Sequence, residues 1–359
     1  MTVPGALTVL AWDHPRAIRP LEAAAATWPG GIAIVVRSLA AFGDDIPGAG
    51  AADLVLIDHP HIGAAAGAGE ILALDGLLEA RTLERLRRDA IGGSGDAYVH
   101  EGASWAIAVD AACHAMATQP GVEPPATLVE LLAALADLRV ALPLHPAHAV
   151  SAHITIAASL GAAAVADAFT DAALATEALH VLAEVARRCP PEAYAWEPPQ
   201  ALAAIEAGTV DLVPFTYGYV GYAVEWHDVP RASHATSSRP VLGGVGMAVL
   251  ASCAQPAAAA AFAAWFGSAA VQRDVVLPAG GQPAGAEAWS LGRDPLFGAT
   301  AEGMANAVVR PRDAWWPDFQ NEAGRIIADG LRRGADAADI ATGLARRFAS
   351  TGAEVAACG

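Results

Sequence analysis

Ser104-Trp105-Ala106-Ile107-Ala108-Val109 is a short apolar run of the kind that forms a buried β-strand, and Asp110 follows it directly. Similar runs occur before and after it, at 6–11, 32–36, 53–57, 210–215 and 245–250. Helical patterns separate several of these runs, beginning with one near 17–27. Strands that alternate with helices along the chain predict an α/β fold rather than an all-β fold or a helix bundle.

The chain has 359 residues, which exceeds the size of one typical hydrophobic core and indicates two domains. It contains no internal repeat and no low-complexity linker. We therefore expect the second domain to begin by a crossover near 110–116 and not through a flexible tether.

The composition excludes several classes of partner. The net charge is −17, and all 21 basic residues are arginine, without a long basic run. An acidic chain of this kind is a poor candidate for binding nucleic acid or an anionic membrane surface. No stretch approaches about 18 strongly apolar residues, so we expect no membrane-spanning helix.

The cysteines and the N-terminus bear on the compartment. Four cysteines lie far apart without the spacing of a zinc site, so we interpret them as isolated thiols. The first residues lack the basic region and the long apolar core of a secretory leader. The sequence as it stands therefore predicts a cytoplasmic protein, and the alternative is an extracytoplasmic protein whose leader has been removed.

Polar and aromatic side chains follow the predicted strands. Ligands of open α/β sheets bind beyond the carboxyl ends of the strands, so these side chains are candidates for ligand binding. They are Trp12, Asp13, His14, Arg16, Asp58, His59, His61, Asp110, Tyr217 and Tyr219.

The second half of the chain adds further candidates. A turn leads into a helix near Pro146, where free backbone amides can receive an oxygen of a ligand. Glycines before a strand permit close approach of a backbone, and paired tryptophans can form an aromatic platform. These candidates are His145, His148, Ser151, Gly243, Gly244, Trp315 and Trp316.

Each candidate also has a purely structural interpretation. Trp12, like the paired tryptophans, can pack in a core instead of stacking on a ligand. Asp13 and Asp58 can cap helices that follow their strands. Arg16 can form an ion pair with either of these two carboxylates instead of binding an anionic ligand.

Evidence for enzymatic chemistry is sparse. The H-x-H and H-x-x-H pairs could ligate zinc, but neither has a third ligand at fixed spacing. The common catalytic motifs are absent, and a Ser/His/Asp set drawn from Ser151, His148 and Asp110 carries little weight in a chain with 11 histidines. We therefore expect no metal, no cofactor and no catalytic residue.

Several motifs together resemble family 1 of the extracellular solute-binding proteins, the sugar-type receptors of ABC importers. The resemblance covers most of the chain, with Leu128 where this family usually has Trp. Five stretches carry it in the family's order: Trp105-Ala106-Ile107-Ala108-Val109-Asp110, Pro124-Pro125-Ala126-Thr127-Leu128-Val129-Glu130-Leu131-Leu132, Ala204-Ile205-Glu206-Ala207-Gly208, Gly243-Gly244-Val245-Gly246-Met247-Ala248-Val249 and Ala261-Phe262-Ala263-Ala264-Trp265-Phe266-Gly267-Ser268-Ala269-Ala270-Val271-Gln272.

The resemblance implies a periplasmic-binding-protein-like fold of type 2, with two α/β lobes joined by a multi-segment hinge. Lobe I is expected at 1–110 plus about 251–309, and lobe II at about 111–250 plus 310–359. The implied function is to close around a small polar ligand, of sugar type or another polar metabolite, for ABC-type uptake.

The expected partners are this ligand and the ABC permease subunits, and the expected state is a monomer. Two alternatives remain open at this point: a cytoplasmic enzyme on the same fold that uses its histidines, and a cytoplasmic ligand sensor.

Overall fold

The computed structural model describes residues 5–44 and 52–358, with the side chains of 40, 43, 44 and 352–358 left aside. The chain divides into two compact units. The first unit comprises Met1–Ala112, Gly243–Phe297 and Pro311–Pro317, and the second comprises Cys113–Leu242, Gly298–Arg310 and Asp318–Gly359. The chain therefore passes between the two units five times.

Apolar runs form the strands and amphipathic or alanine-rich segments form the helices. The strands are β1 (Leu7–Trp12), β2 (Ile32–Arg37), β3 (Leu54–Ile57), β4 (Val99–His100), β5 (Ala103–Ser104), β6 (Ile107–Thr118), β7 (Leu212–Tyr217), β8 (Glu225–His227) and β9 (Leu242–Val249). The helices are α1 (Pro15–Ala25), α2 (Leu39–Asp44), α3 (Ile62–Gly67), α4 (Ala80–Asp89), α5 (Leu128–Ala134), α6 (Pro146–Leu160), α7 (Asp167–Thr170), α8 (Ala172–Ala186), α9 (Pro198–Glu206), α10 (Pro256–Phe266), α11 (Ala269–Val271), α12 (Ala286–Leu291), α13 (Pro295–Ala299), α14 (Ala301–Asn306), α15 (Trp316–Arg333) and α16 (Ala337–Cys358).

Single helical turns complete the elements. They lie at His59–His61, Leu74–Gly76, Asp96–Tyr98, Pro191–Ala195 and Gln272–Val276. No helix in the described ranges combines the length and the apolar character that crossing a membrane requires.

The first unit is built on a mixed sheet in the order β2-β1-β3-β9-β6. β1 pairs in parallel with β2 and β3, whereas β9 runs antiparallel to β3. β3 is fully buried, and β1 is buried apart from Thr8. Leu7 and Val9 of β1 and Leu54 and Leu56 of β3 enter one hydrophobic core. The parallel strands place the carboxyl ends of β1 and β3 at the same edge of the sheet.

The second unit combines antiparallel strands with a layer of helices. The second half of β6 pairs with β7 and with β8. Helix α8 packs against both α6 and α16, and this helical layer is rich in alanine. Helix α5 begins at the predicted capping box: the Glu130 amide donates to the Thr127 hydroxyl at 3.2 Å, and the Thr127 amide donates to the Glu130 carboxylate at 3.1 Å.

The bounds of the two units differ from those of the expected lobes. Residues 243–250 and 311–317 belong to the first unit, and residues 298–309 belong to the second. The physical reason for the first difference is strand pairing, because β9 forms its ladder with β3 from Gly246 to Val249.

β6 is much longer than the predicted strand at 104–109. It runs for 12 residues from Ile107 to Thr118, and every one of them is buried. Asp110 therefore lies inside a strand and not beyond its end. In the same way Gly243 and Gly244 lie inside β9, which begins at Leu242, and do not precede it.

Helix α3 offers a matched test of backbone packing. A Cβ atom added to Gly63 would lie 2.0 Å from the carbonyl oxygen of Arg312, whereas one added to Gly67 would meet nothing within 4 Å. Gly63→Ala is expected to lower the free energy of unfolding, because backbone must move. Gly67→Ala is expected to raise it by up to about 1 kcal/mol through helix propensity. Urea unfolding of both variants checks this, and equal effects would contradict it.

His153 on α6 is fully buried, and its Nε2 lies 2.8 Å from the Ala168 carbonyl oxygen. Burial lowers the pKa of His153 from 6.5 to about 4, although this hydrogen bond acts in the opposite direction. The folded state therefore resists protonation of an imidazole that the unfolded state protonates near pH 6.5.

The His153 contribution to stability is complete above pH 6.5 and decreases as the pH falls towards 4. The parent protein is expected to lose free energy of unfolding between pH 7 and pH 4. His153→Gln, which replaces the imidazole with an amide, is expected to make that loss about 3 kcal/mol smaller. Urea unfolding at both pH values measures this loss, with the exposed His180→Gln as the matched control. An unchanged pH dependence in His153→Gln would show that His153 does not carry it.

Candidate functional site

Three consecutive residues that were predicted to bind a ligand lie at the end of β1: Trp12, Asp13 and His14. Trp12 is buried, and its ring packs on Phe42 with the ring centroids 5.0 Å apart. Asp13 is exposed. His14, and not Asp13, caps helix α1, because its Nδ1 accepts a hydrogen bond from the Arg16 amide at 3.1 Å.

Burial, together with the neighbouring Arg16 charge, lowers the pKa of His14 to about 4. His14 is therefore neutral at pH 7. Its ring can accept or donate a hydrogen bond there without carrying charge.

Arg16 forms a buried ion pair with Asp110. Its Nε donates to Oδ2 at 2.7 Å and its Nη2 donates to Oδ1 at 2.5 Å. Asp110 is thus a partner of Arg16 that the sequence analysis, which considered Asp13 and Asp58, did not anticipate. Burial raises the pKa of Asp110, whereas the charge and hydrogen bonds of Arg16 lower it. Two-point contact of this kind fixes both side chains.

The residues after β3 form a tight helical turn. Asp58 caps it by accepting a hydrogen bond from the His59 amide at 2.9 Å, which is the structural one of its two interpretations, and ligand binding by Asp58 stays a prediction. His59 and His61 are both buried, and His59 meets Tyr98 edge to face. The charge of Asp58 also contributes to raising the pKa of Asp110, which places the two carboxyl groups in one neighbourhood.

Gly244 serves strand packing in the first unit. Its φ is +111°, and an added Cβ would lie 2.5 Å from the Asp110 carbonyl oxygen. The close backbone approach expected of this glycine is thus made to β6. Trp316 is fully buried, and its ring meets the Trp315 ring edge to face with the centroids 5.6 Å apart.

The second unit brings four predicted residues together at the start of α6 and the end of β7. His145 precedes Pro146, the first residue of α6, and its ring centroid lies 6.3 Å from that of His148. His148 lies 6.0 Å from the Tyr217 ring, measured between centroids. The Tyr217 hydroxyl donates to Ser151 Oγ at 3.4 Å.

Glu197 belongs to the same cluster and adds a carboxylate beside His145 and His148. Its carboxylate contacts His148 Nε2 closely and lies 3.5 Å from His145 Nδ1. Burial acts to raise the pKa of Glu197, but the charge and hydrogen bond of His148 and the charge of His145 bring it below its ordinary value. Glu197 is therefore an ionised hydrogen-bond acceptor at pH 7.

Two further side chains pack on Tyr217. The His114 ring lies edge-on at 4.4 Å between centroids, and the Arg310 guanidinium carbon lies 5.9 Å from the ring centroid. Arg310 donates to Gln320 Oε1 at 3.0 Å. Burial, together with the charges of His148 and Arg310, lowers the pKa of His114 well below its ordinary value, so His114 is neutral.

The chemistry of this cluster suits hydrogen bonding more than bond cleavage. The Ser151 hydroxyl donates to the Ala147 carbonyl oxygen of its own helix at 2.8 Å, and Asp110 is engaged by Arg16. Among the described residues, no three histidine, cysteine or carboxylate side chains are grouped to hold a metal ion.

The family model described as bacterial extracellular solute-binding protein matches residues 18–273. The chain belongs to that family. No curated protein matches the chain.

Solved structures give the same fold at low sequence identity. The GacH receptor of Streptomyces glaucescens, solved unliganded and with acarbose, is 17% identical with a TM-score of 0.76, covering 96% of this chain and 98% of that one. A maltotriose binding protein of Thermus thermophilus bound with maltotriose is 18% identical with a TM-score of 0.73, covering 95% and 98%.

A third structure of this kind is a solute binding protein of an ABC transporter from Agrobacterium radiobacter K84 in complex with ribitol. It is 17% identical with a TM-score of 0.76, covering 96% and 98%. The family and the two-lobed, periplasmic-binding-protein-like α/β fold expected from the sequence are confirmed by these matches.

Sequence reasoning missed Glu197, His114 and Arg310 of this solute-binding protein. Glu197 precedes Pro198-Pro199, a position typical of a helix cap, and that was its only local signal. His114 lies in the part of β6 that was not predicted. Tyr219, which was predicted, meets Tyr222 edge-on at 6.4 Å.

The Arg16–Asp110 pair gives a test of what a buried charge contributes to this solute-binding protein. Asp110→Asn leaves the buried guanidinium without its carboxylate and is expected to lower the free energy of unfolding by about 3 kcal/mol or more. Replacing both partners, in Arg16→Met with Asp110→Leu, is expected to cost less than Asp110→Asn alone.

Urea unfolding measures both variants, and Glu79→Gln is the control because the Glu79–Arg81 pair is exposed. A double variant less stable than Asp110→Asn would overturn this account of the pair.

Proposed function

We propose that this protein is a solute-binding protein that recognises a small uncharged polyhydroxylated ligand, of the sugar or polyol type, for ABC-type uptake. Membership of the solute-binding family supports the transport role, and the chemistry of the two clusters supports the ligand class.

The observation that carries the ligand class is the cluster around Tyr217. It offers an ionised acceptor in Glu197, a hydroxyl in Ser151 and an aromatic ring in Tyr217. A sugar presents hydroxyl groups that both donate and accept hydrogen bonds, and apolar C–H faces that pack on aromatic rings. These three kinds of group are the ones that such a molecule requires.

The first unit adds a complementary set. Asp13 is an exposed acceptor, and His14 beside it is neutral with its pKa near 4. Arg16 is engaged by Asp110, which disfavours its proposed role as the residue that binds an anionic ligand. This set also favours an uncharged polar ligand over an acidic one.

The proposal further assigns an ABC permease as the protein partner and places the protein outside the cytoplasm, where its family is described as acting. The neighbours of known structure bind maltotriose, acarbose and ribitol, which gives a defined set of probes. A receptor returns its ligand unchanged, so the bound compound should be recovered intact after denaturation, whereas a converted product would favour an enzyme.

Isothermal titration calorimetry with maltotriose and ribitol tests binding directly. We expect at least one of a panel of saccharides and polyols to bind, and Tyr217→Ala to weaken that binding at least tenfold through loss of the ring. Asp13→Asn is expected to weaken it about tenfold, because a charged acceptor becomes a neutral one.

The matched controls are Tyr194→Phe in the second unit and Glu22→Gln in the first, and both should bind as the parent protein does. If no polyhydroxylated compound binds, or if Tyr217→Ala binds as the parent does, the proposed ligand class is wrong.

A further inference from the structure

The second unit contains a surface groove of about 610 Å³ whose lining includes none of the side chains proposed for the ligand above. This volume is within the range of sites that hold a ligand. The apolar part of its lining includes Leu138, Val140, Pro190 and Trp196. We call it the Val140 groove.

Val140 belongs to an extended segment that lies beside β7. The Leu212 amide donates to the Arg139 carbonyl oxygen at 3.3 Å, and the Ala141 amide donates to the Leu212 carbonyl oxygen at 3.1 Å. These two hydrogen bonds form a parallel bridge between Val140 and Leu212, in which the flanking residues use their backbone groups towards β7. The amide and the carbonyl group of Val140 itself therefore point to the opposite side, away from β7.

The outer side of this segment is covered at one end. The Leu144 amide donates to the Ala193 carbonyl oxygen at 2.9 Å, and the Leu142 backbone lies beside the Cys189 thiol. Backbone groups alternate along an extended chain, so residues 140, 142 and 144 use the same side. Val140 lies about 13 Å from Leu144 along this edge, since four extended residues span that length.

The backbone of Val140 is left without a partner. Neither its amide nor its carbonyl oxygen forms a hydrogen bond within the part of the chain that the structure describes. The residue is 2% exposed, and buried backbone groups are almost always paired because an unpaired one is costly. An unpaired amide and carbonyl on one residue at a strand edge form a template for a further strand.

The side chains around Val140 determine what kind of strand fits. Leu138 and Trp196 are both half-buried, and each presents apolar surface in the groove. Asp137, Arg188 and Glu192 are exposed and line it as well, so its charges have both signs. Mixed charge gives no strong attraction to a highly charged partner. The lining therefore favours an uncharged segment with an apolar side chain.

We propose that the Val140 groove binds an extended, uncharged peptide segment of a partner protein, which adds to the sheet edge at Val140. One residue of the peptide lies antiparallel to Val140, donates its amide to the Val140 carbonyl oxygen and accepts the Val140 amide. An apolar side chain of the peptide packs against Leu138 and Trp196. This site is independent of the proposed saccharide ligand.

The unpaired backbone distinguishes a peptide from an apolar small molecule. A hydrocarbon could fill the same volume, but it would leave the Val140 amide and carbonyl group unpaired. A peptide residue supplies one donor and one acceptor at the separation that this edge requires. The hydrogen bonds of the peptide backbone are therefore what the experiment has to test.

The test is calorimetry of the full chain with capped peptides of the form acetyl-Ala-Thr-Xaa-Thr-Ala-amide, in which Xaa is Leu, Phe or Trp. We expect at least one to bind, and the peptide with Gly at Xaa to bind at least tenfold more weakly. Analogues of the tightest peptide are then methylated at one backbone nitrogen each. At least one should bind at least tenfold more weakly, because it cannot donate to the Val140 carbonyl oxygen.

Residue-resolved hydrogen exchange assigns the binding to the groove. Bound peptide should slow exchange of the Val140 amide at least tenfold, because the amide becomes hydrogen-bonded. The Leu144 amide already donates to Ala193 and should exchange as it does in the free protein.

A charged side chain in the apolar wall provides a matched pair of variants. Leu138→Asp is expected to weaken peptide binding at least tenfold, because an apolar side chain would have to displace water from a carboxylate. Val129→Asp changes an exposed apolar residue on α5 and should bind the peptide as the parent protein does. An unchanged melting temperature of Leu138→Asp would show that this variant folds.

Saccharide binding separates this proposal from the proposed function. Tyr217→Ala should bind the peptide normally while saccharide binding falls, and Leu138→Asp should show the reverse. Three results would overturn the proposal: no peptide of the panel binds at millimolar concentration, every methylated analogue binds as tightly as its parent peptide, or the Val140 amide exchanges at the same rate with and without peptide.

Discussion

The fold depends on keeping polar side chains satisfied along one buried strand. β6 runs through 12 buried residues and passes from the first unit into the second, yet it carries Asp110, His114 and Thr118 at four-residue intervals. That spacing puts them on one face of a regular strand. Each has its own partner: Arg16, Thr155 and His227, respectively. Since a buried polar group without a partner is costly, these three contacts fix how other segments pack on β6.

The same constraint explains which parts of the fold could be predicted. β1, β2 and β3 are short, mainly apolar runs, and their predicted positions lie within one residue of the observed ends. β6 was predicted only to Val109, because Asp110 interrupts the apolar run. A polar residue is tolerated inside this strand only through Arg16, which lies 94 residues away along the chain. Local pattern contains no information about such a partner.

In the candidate site too, residues with a local sequence signal were predicted and residues brought in from distant segments were missed. The sequence located His145, His148, Ser151 and Tyr217 because they flank a predicted turn and a predicted strand, and three of these four are linked through Tyr217. Their acceptor, Glu197, comes from the start of α9 and has no pattern that ties it to them. Arg16 was predicted to find a carboxylate nearby in sequence, but the sheet supplies Asp110 instead. Pairing across a fold is decided by topology, which short-range spacing does not encode.

The five passages of the chain between its two units have a consequence for biosynthesis. The first unit needs residues 311–317 and the second needs residues up to the C-terminal helix, so neither is a contiguous stretch of polypeptide. A chain emerging from the ribosome can thus complete neither unit until synthesis is nearly finished. Truncation at any single position removes part of at least one unit, and the two must mature together.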